Sequence, residues 1–201
     1  MSDTLTNPEN KNDGMVAGAF ERFFMNGDPL WMGSRLWYTF LLSKLKDKRV
    51  IDVGCGTGIG TAMLGTQNTI LGVDRNPESV LFASKLFSWM NWALGDISKP
   101  EGPFPGEVEA VVGIEVFEHI GDQKAAAERM MSIATEVVWL STPNGLMRKK
   151  PPRDERHTKE LSPMEMRELF PGKEIVVRDS RCNVCAFGKE PDDDLIYEVR
   201  I

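Results

Sequence analysis

At 201 residues, with 41% hydrophobic and 27% charged side chains, the chain is sized for one well-buried domain rather than two. No apolar run approaches the length of a membrane span, and the polar, acidic residues 1–14 lack the character of a signal peptide, so no membrane association is expected. A net charge of −6 argues against an extensive nucleic-acid-binding face, and three cysteines (Cys55, Cys182, Cys185) suit a reducing, cytoplasmic setting.

Residues 1–14 hold little to bury and read as a disordered tail ahead of a single domain over 15–201. Residues 15–47 are expected to form N-terminal cap helices. The first covers 15–25, with Val16, Phe20, Phe23 and Phe24 at helical spacing. After a break at Asn26-Gly27-Asp28-Pro29, the second is predicted over about 34–45, with Leu36, Trp37, Phe40, Leu41 and Leu45 on one side. Such stripes pack a core or cap an active site.

From residue 48 the chain alternates. Apolar runs at 50–53, 69–73, 92–94, 110–114 and 137–140 read as strands, with helices predicted at 77–87 and 122–134. Alternation of this kind implies a parallel sheet with helices on both faces. A helix at about 163–170 then precedes strand-like runs at 174–177 and 195–201 with no helix between them. Two strands joined without a crossover pair antiparallel.

The first strand empties into Asp52-Val53-Gly54-Cys55-Gly56-Thr57-Gly58-Ile59. Glycines at alternate positions tolerate positive φ and let a ligand lie against bare backbone. Asp74, ending the second strand, is placed to accept hydrogen bonds from a ribose diol. A dinucleotide fingerprint needs a small residue where Ile59 stands, which counts against a nicotinamide oxidoreductase. A phosphate loop needs a Lys that no glycine here precedes at the right offset.

The D-x-G-C-G-T-G run resembles the first motif of the class I S-adenosylmethionine-dependent methyltransferases. That resemblance implies a Rossmann-like α/β fold with a seven-stranded, mostly parallel sheet ending in an antiparallel hairpin. It also implies S-adenosyl-L-methionine as cofactor. Asp52 would then sit near the cofactor amino group, with Gly54, Cys55, Gly56, Thr57 and Gly58 along its methionine part and Asp74 on the ribose. Arg75 would flank the adenine, and Gly95, Asp96 and Ile97 after the third strand would contact it, Asp96 at the exocyclic amine.

After the fourth strand comes Glu115-Val116-Phe117-Glu118-His119. On a helical turn, positions i, i+3 and i+4 share a face, so Glu115, Glu118 and His119 are expected to converge at the carboxyl end of a strand. Two carboxylates and an imidazole supply a general base or divalent-metal ligands, or simply orient the loop. This run, the Ser141-Thr142-Pro143-Asn144 that ends the fifth strand, and His157-Thr158-Lys159-Glu160-Leu161-Ser162-Pro163-Met164-Glu165 resemble one branch of the family. That type 11/12-like branch holds ubiquinone-pathway O-methyltransferases and small-RNA 2′-O-methyltransferases. In its metal-dependent members a histidine from the last segment completes the ligand set, which implies Glu115, Glu118, His119 and His157 around Mg²⁺ or Mn²⁺, with Glu115 also bordering the cofactor. The chain departs from the branch in lacking an L-K-P-G-G turn before its fifth strand.

Residues 148–156 carry five basic side chains (Arg148, Lys149, Lys150, Arg153, Arg156) in an otherwise acidic protein. They read either as a solvated loop or as a field for an anionic small molecule or nucleic-acid end. Cys182-Asn183-Val184-Cys185 lacks the further ligands a structural zinc needs and reads as two loop thiols. The resulting expectation is an O-directed methyltransferase. No N/D-P-P-[YF]-type motif of the amino-methylating nucleic-acid enzymes follows the fourth strand. The alternatives are metal-assisted methylation of RNA or DNA ends and a non-catalytic cofactor-binding module. Oligomeric state and acceptor are not legible at this level.

Overall fold

The computed structural model describes residues 29–104, 106–146, 156–187 and 194–201. The 1–14 tail and the 15–25 helix expected from the sequence lie outside these residues, as does most of the basic run. The remaining N-terminal helix, α1, spans Pro29–Leu42 rather than 34–45. Proline is at home in a first helical turn, where its missing N–H has no intrahelical partner to lose. Leu45 lies beyond the helix but is still buried.

The core follows as β1 (Arg49–Val53), α2 (Ile59–Leu64), β2 (Thr69–Asp74), α3 (Pro77–Leu86), β3 (Asn91–Leu94), β4 (Val108–Ile114), a 3₁₀ turn (Phe117–His119), α4 (Gln123–Ile133), β5 (Ala134–Pro143), α5 (Pro163–Leu169), β6 (Glu174–Arg178), β7 (Val184–Cys185) and β8 (Asp194–Arg200). The sequence pattern did not mark α2, a six-residue helix that starts directly from the glycine turn. Helix starts are chemically marked elsewhere. Asn76 accepts from Glu78 N and Asp122 from Ala125 N, while Ser162 and Glu165 form a reciprocal capping box around Pro163.

The strands form one sheet in the order β3-β2-β1-β4-β5-β8-β6-β7. The pairs from β3 to β5 are parallel, and β8, β6 and β7 join antiparallel. The sheet therefore has one strand more than the seven expected. The two-residue β7 is the addition, too short to stand out in a sequence. β5 ends at Pro143, which has no N–H to extend the ladder.

Side chains alternate across the sheet with the strand period of two. Val50 and Val112 pack with Trp37, Leu41, Trp139 and Ile196 on one face. Ile51, Val111 and Val138 pack with Phe117, Met130 and Met166 on the other. Each such fully buried side chain contributes about 1.5–3 kcal/mol. Switching from β1 outward to both β2 and β4 opens a crevice at the carboxyl ends of these strands, where open α/β sheets take ligands.

Candidate functional site

Above β1 the chain turns through Gly54, Gly56 and Gly58, all at positive φ (68°, 54° and 82°). Their demands differ. A Cβ on Gly54 would fall 2.1 Å from Val116 Cγ2, and one on Gly58 would fall 2.5 Å from the Trp92 ring, whereas one on Gly56 would meet nothing within 4 Å. Gly54 and Gly58 are thus glycines for packing as well as for φ. Gly56 is the bare backbone that faces the crevice.

Asp74 organises this turn. Its Oδ2 accepts from Gly56 N and its Oδ1 from Asn76 N, each at 2.8 Å. A carboxylate fixed at both oxygens in the crevice is ready to accept further hydrogen bonds from a vicinal diol. Asp96 is anchored similarly, with Oδ1 taking Ser98 N at 2.9 Å and Ser98 Oγ at 2.7 Å. Burial pushes its pKa up, but the Ser98 hydrogen bonds and nearby Arg75 outweigh that and hold it below the ordinary value. Asp96 therefore stays an acceptor, with the Arg75 charge in its neighbourhood.

Three other expected cofactor residues leave only their backbone for a ligand. The side chains of Cys55, Thr57 and Ile97 are buried, at 7%, 5% and 2% exposure. Burial, with Asp52 and Asp74 nearby, pushes the Cys55 thiol far up, so it is no nucleophile. Asp52 is more enclosed than the sequence implied. Tyr38 Oη donates to both its carboxylate oxygens at 3.1 Å, and Thr61 Oγ1 donates to Oδ2 at 2.6 Å. Burial nevertheless raises its pKa to about 7. Tyr38, which lies outside the apolar stripe read from the sequence, is one of the two side chains that occupy this carboxylate.

The turn after β4 lies against the glycine loop through the Val116–Gly54 contact. Glu115 takes a left-handed backbone at φ 54°. Its N–H donates to Ser141 Oγ, which donates back to Glu115 Oε1, both at 2.9 Å. Glu115 stands before the 3₁₀ turn rather than on one helical turn with Glu118 and His119. The donor atoms that come together, within 4.8 Å of one another, are those of Glu118, His119 and His157. Glu115 contributes charge: it and Asp194 push the Glu118 pKa up, after the larger effect of burial. Asp194, at the start of β8, was invisible as a neighbour because its proximity depends on β5–β8 pairing.

His157 arrives because the segment carrying it is stitched to the turn. Thr158 N and Oγ1 bind the Glu118 carbonyl at 2.8 and 2.9 Å. Gln123 Nε2 spans Phe117 O and Lys159 O at 3.0 and 2.9 Å. From the other side, Gly145 N donates to Leu161 O at 3.0 Å. Glu118 is 1% exposed, and its Oε2 has no hydrogen-bond partner among the described residues. A buried, unsatisfied carboxylate oxygen beside two imidazoles fits a divalent cation that accepts mixed nitrogen and oxygen ligands. A separate cavity of about 700 Å³ lies at the amino ends of the strands, lined by Arg49, Thr69, Asn91 and Val108, away from this chemistry.

The strand order, the glycine turn and the acid fixed at the end of β2 define a Rossmann-like fold with a crevice at the carboxyl ends of its strands. Residues 50–136 match the family model described as a methyltransferase domain. A curated relative, the ubiquinone biosynthesis O-methyltransferase of Thiobacillus denitrificans, is 32% identical over 112 residues, covering 53% of this chain and 48% of the relative. The match thus spans about half the length of that relative. Among solved structures, a TehB-like S-adenosylmethionine-dependent methyltransferase from Corynebacterium glutamicum superposes with TM-score 0.71 at 16% identity, covering 94% of this chain and 97% of that one. N-methyltransferase NodS from Bradyrhizobium japonicum, in complex with S-adenosyl-L-homocysteine, gives TM-score 0.65 at 17% identity over 92% and 97% of the two chains. The chain adopts the fold of these S-adenosylmethionine-dependent methyltransferases, and its residues 50–136 are similar to the methyltransferase domain. Among the described residues, no helix is long and apolar enough to cross a membrane.

Proposed function

We propose that the chain transfers a methyl group from S-adenosyl-L-methionine to an oxygen of an anionic acceptor. The supporting observation is the packing of the Glu118–His119–His157 cluster against the glycine turn through Val116 and Gly54. That contact sets proton-accepting groups beside the crevice where Gly56, Asp74 and Asp96 cradle the cofactor.

The cofactor supplies a methyl on a positively charged sulfur. Asp74 receives its ribose hydroxyls, Asp96 and Arg75 border its adenine, and the Gly56 backbone lies along its methionine part. Without a bound metal, His119 or His157 would take the acceptor's hydroxyl proton as the new carbon–oxygen bond forms and the sulfur keeps the electron pair of the bond that breaks; with a metal bound, the same nitrogens would serve as its ligands instead. Positioning of the two partners supplies most of the acceleration. Glu118, His119 and His157 are the residues that would hold Mn²⁺ or a similar ion, whose charge would lower the acceptor's pKa. The 32% identity to an O-methyltransferase supports oxygen as acceptor. Cys55, Cys182 and Cys185 form no disulfide among the described residues, which suits a cytoplasmic setting.

Methyl transfer from labelled cofactor to panels of phenolic, carboxylated and nucleotide acceptors tests this reading, with and without chelator. Turnover on a hydroxyl acceptor that falls in His119→Ala and His157→Ala supports it. Cofactor binding with no turnover on any panel would favour a binding module instead.

A further inference from the structure

Two hydrogen bonds stand behind the histidines of the cluster rather than inside it. His119 Nδ1 lies 3.2 Å from the carbonyl oxygen of Arg156. His157 Nδ1 lies 2.7 Å from Glu160 Oε1, and the two side chains are only 10% and 5% exposed. Carbonyl and carboxylate oxygens accept, so each contact places a proton on Nδ1. An imidazole with one proton, on Nδ1, presents its lone pair at Nε2.

The remaining geometry gives that lone pair a destination. The two rings meet edge to face with centroids 4.7 Å apart, and His119 Nε2 is 3.9 Å from Glu118 Oε1. Glu118 Oε2, buried and without a hydrogen-bond partner among the described residues, sits in the same group. Glu160 itself is braced. A Cβ on Gly145 would fall 2.4 Å from the Glu160 carbonyl oxygen, and Thr158 is held by the carbonyls of Glu118 and Ile120. The acid behind His157 is set by backbone that has little room to shift.

We propose that Glu160 is a positioning residue that locks His157 in the Nδ1–H tautomer, so that Nε2 joins His119 and Glu118 in holding a divalent cation. The occupant rests on the metal reading given above, whereas the tautomer does not. Carboxylates in this position orient a ligating imidazole and strengthen it, and their loss typically weakens metal binding about 10–100-fold.

The test reads tautomer and metal separately, on the full chain. Long-range ¹H–¹⁵N spectra of the metal-free protein report which His157 nitrogen is protonated, and calorimetry with Mn²⁺ alone reports affinity. The wild type is expected to show His157 as Nδ1–H. Glu160→Gln keeps an accepting oxygen and should preserve that tautomer with most of the affinity. Glu160→Ala should shift His157 toward Nε2–H and bind Mn²⁺ at least about 10-fold more weakly. Wild-type His157 protonated at Nε2 overturns the role of Glu160 without recourse to any variant. So does unchanged tautomer and affinity in Glu160→Ala. Absence of Mn²⁺ binding by a wild type that still shows the Nδ1–H tautomer overturns the metal reading instead.

Discussion

The Tyr38 hydroxyl donates to both carboxylate oxygens of Asp52 at 3.1 Å, tying the N-terminal helix to the strand that feeds the glycine turn. The acid it holds is fully buried, with a pKa raised from 3.8 to about 7. The folded state therefore keeps a proton that the unfolded chain gives up. A raised carboxyl pKa stabilises the folded state fully below the unfolded value, and the benefit is lost as pH climbs through the folded one. Asp52→Asn removes that dependence. The stability of the wild type relative to Asp52→Asn should decline between about pH 4 and 7 and level off above, by at most ~4 kcal/mol at ~1.4 kcal/mol per pKa unit. Urea midpoints of both proteins across that range check it, and parallel curves would contradict it.

Tyr38→Phe removes a donor from a buried carboxylate and leaves the ring that Gly60 accommodates. The expected cost is about 1–3 kcal/mol at neutral pH. Because the hydroxyl bond lowers the Asp52 pKa, its loss should also push that pKa further up. Thermal and denaturant unfolding of the single variant measures the first. Carboxyl titration by NMR measures the second.

The glycines of the turn should separate folding from binding. Gly54→Ala places a methyl into Val116 at a positive φ and should destabilise the fold by several kcal/mol, in the range of overpacked cores and strained backbone. Gly56→Ala bears only the φ cost, roughly 1 kcal/mol, but its methyl projects into the crevice. It should remain folded while losing at least about 10-fold in cofactor affinity, since a methyl there displaces the ligand from the backbone. Calorimetry beside thermal melts distinguishes the two variants.

Local chemistry made much of this site legible from sequence. Asp52, the alternate glycines and Asp74 are joined by one strand, one turn and a fixed distance, so their placement around the turn is readable without knowing the rest. Helix starts at Asn76, Asp122 and Ser162 were readable for the same reason. Contacts set by tertiary pairing were not. Tyr38 reaches Asp52 across two elements, Asp194 nears Glu118 only because β8 pairs with β5, and Glu160 matters only once His157 is docked on the 3₁₀ turn. Glu115 reads from sequence as a helical neighbour of Glu118, whereas its left-handed backbone precedes the 3₁₀ turn and bonds Ser141, a residue 26 positions away.

Lys149, Lys150 and Arg153 test the anionic acceptor. If the acceptor carries negative charge, replacing all three with Gln should raise its KM and flatten the dependence of KM on salt, with kcat and cofactor affinity little changed. Steady-state kinetics at two ionic strengths decide this. An unchanged KM rules the segment out as an acceptor field.

The crevice above β1 and β2 is proposed as a nucleoside-cofactor site held by Asp74. Calorimetric titration of S-adenosyl-L-homocysteine into the wild type and Asp74→Ala tests it most directly. One-to-one binding by the wild type, weakened at least about 10-fold in a variant that still melts cooperatively, is the expected result, since each lost charged hydrogen bond removes about 1.5–3 kcal/mol. No binding by the folded wild type, or equal affinity in both proteins, would contradict it.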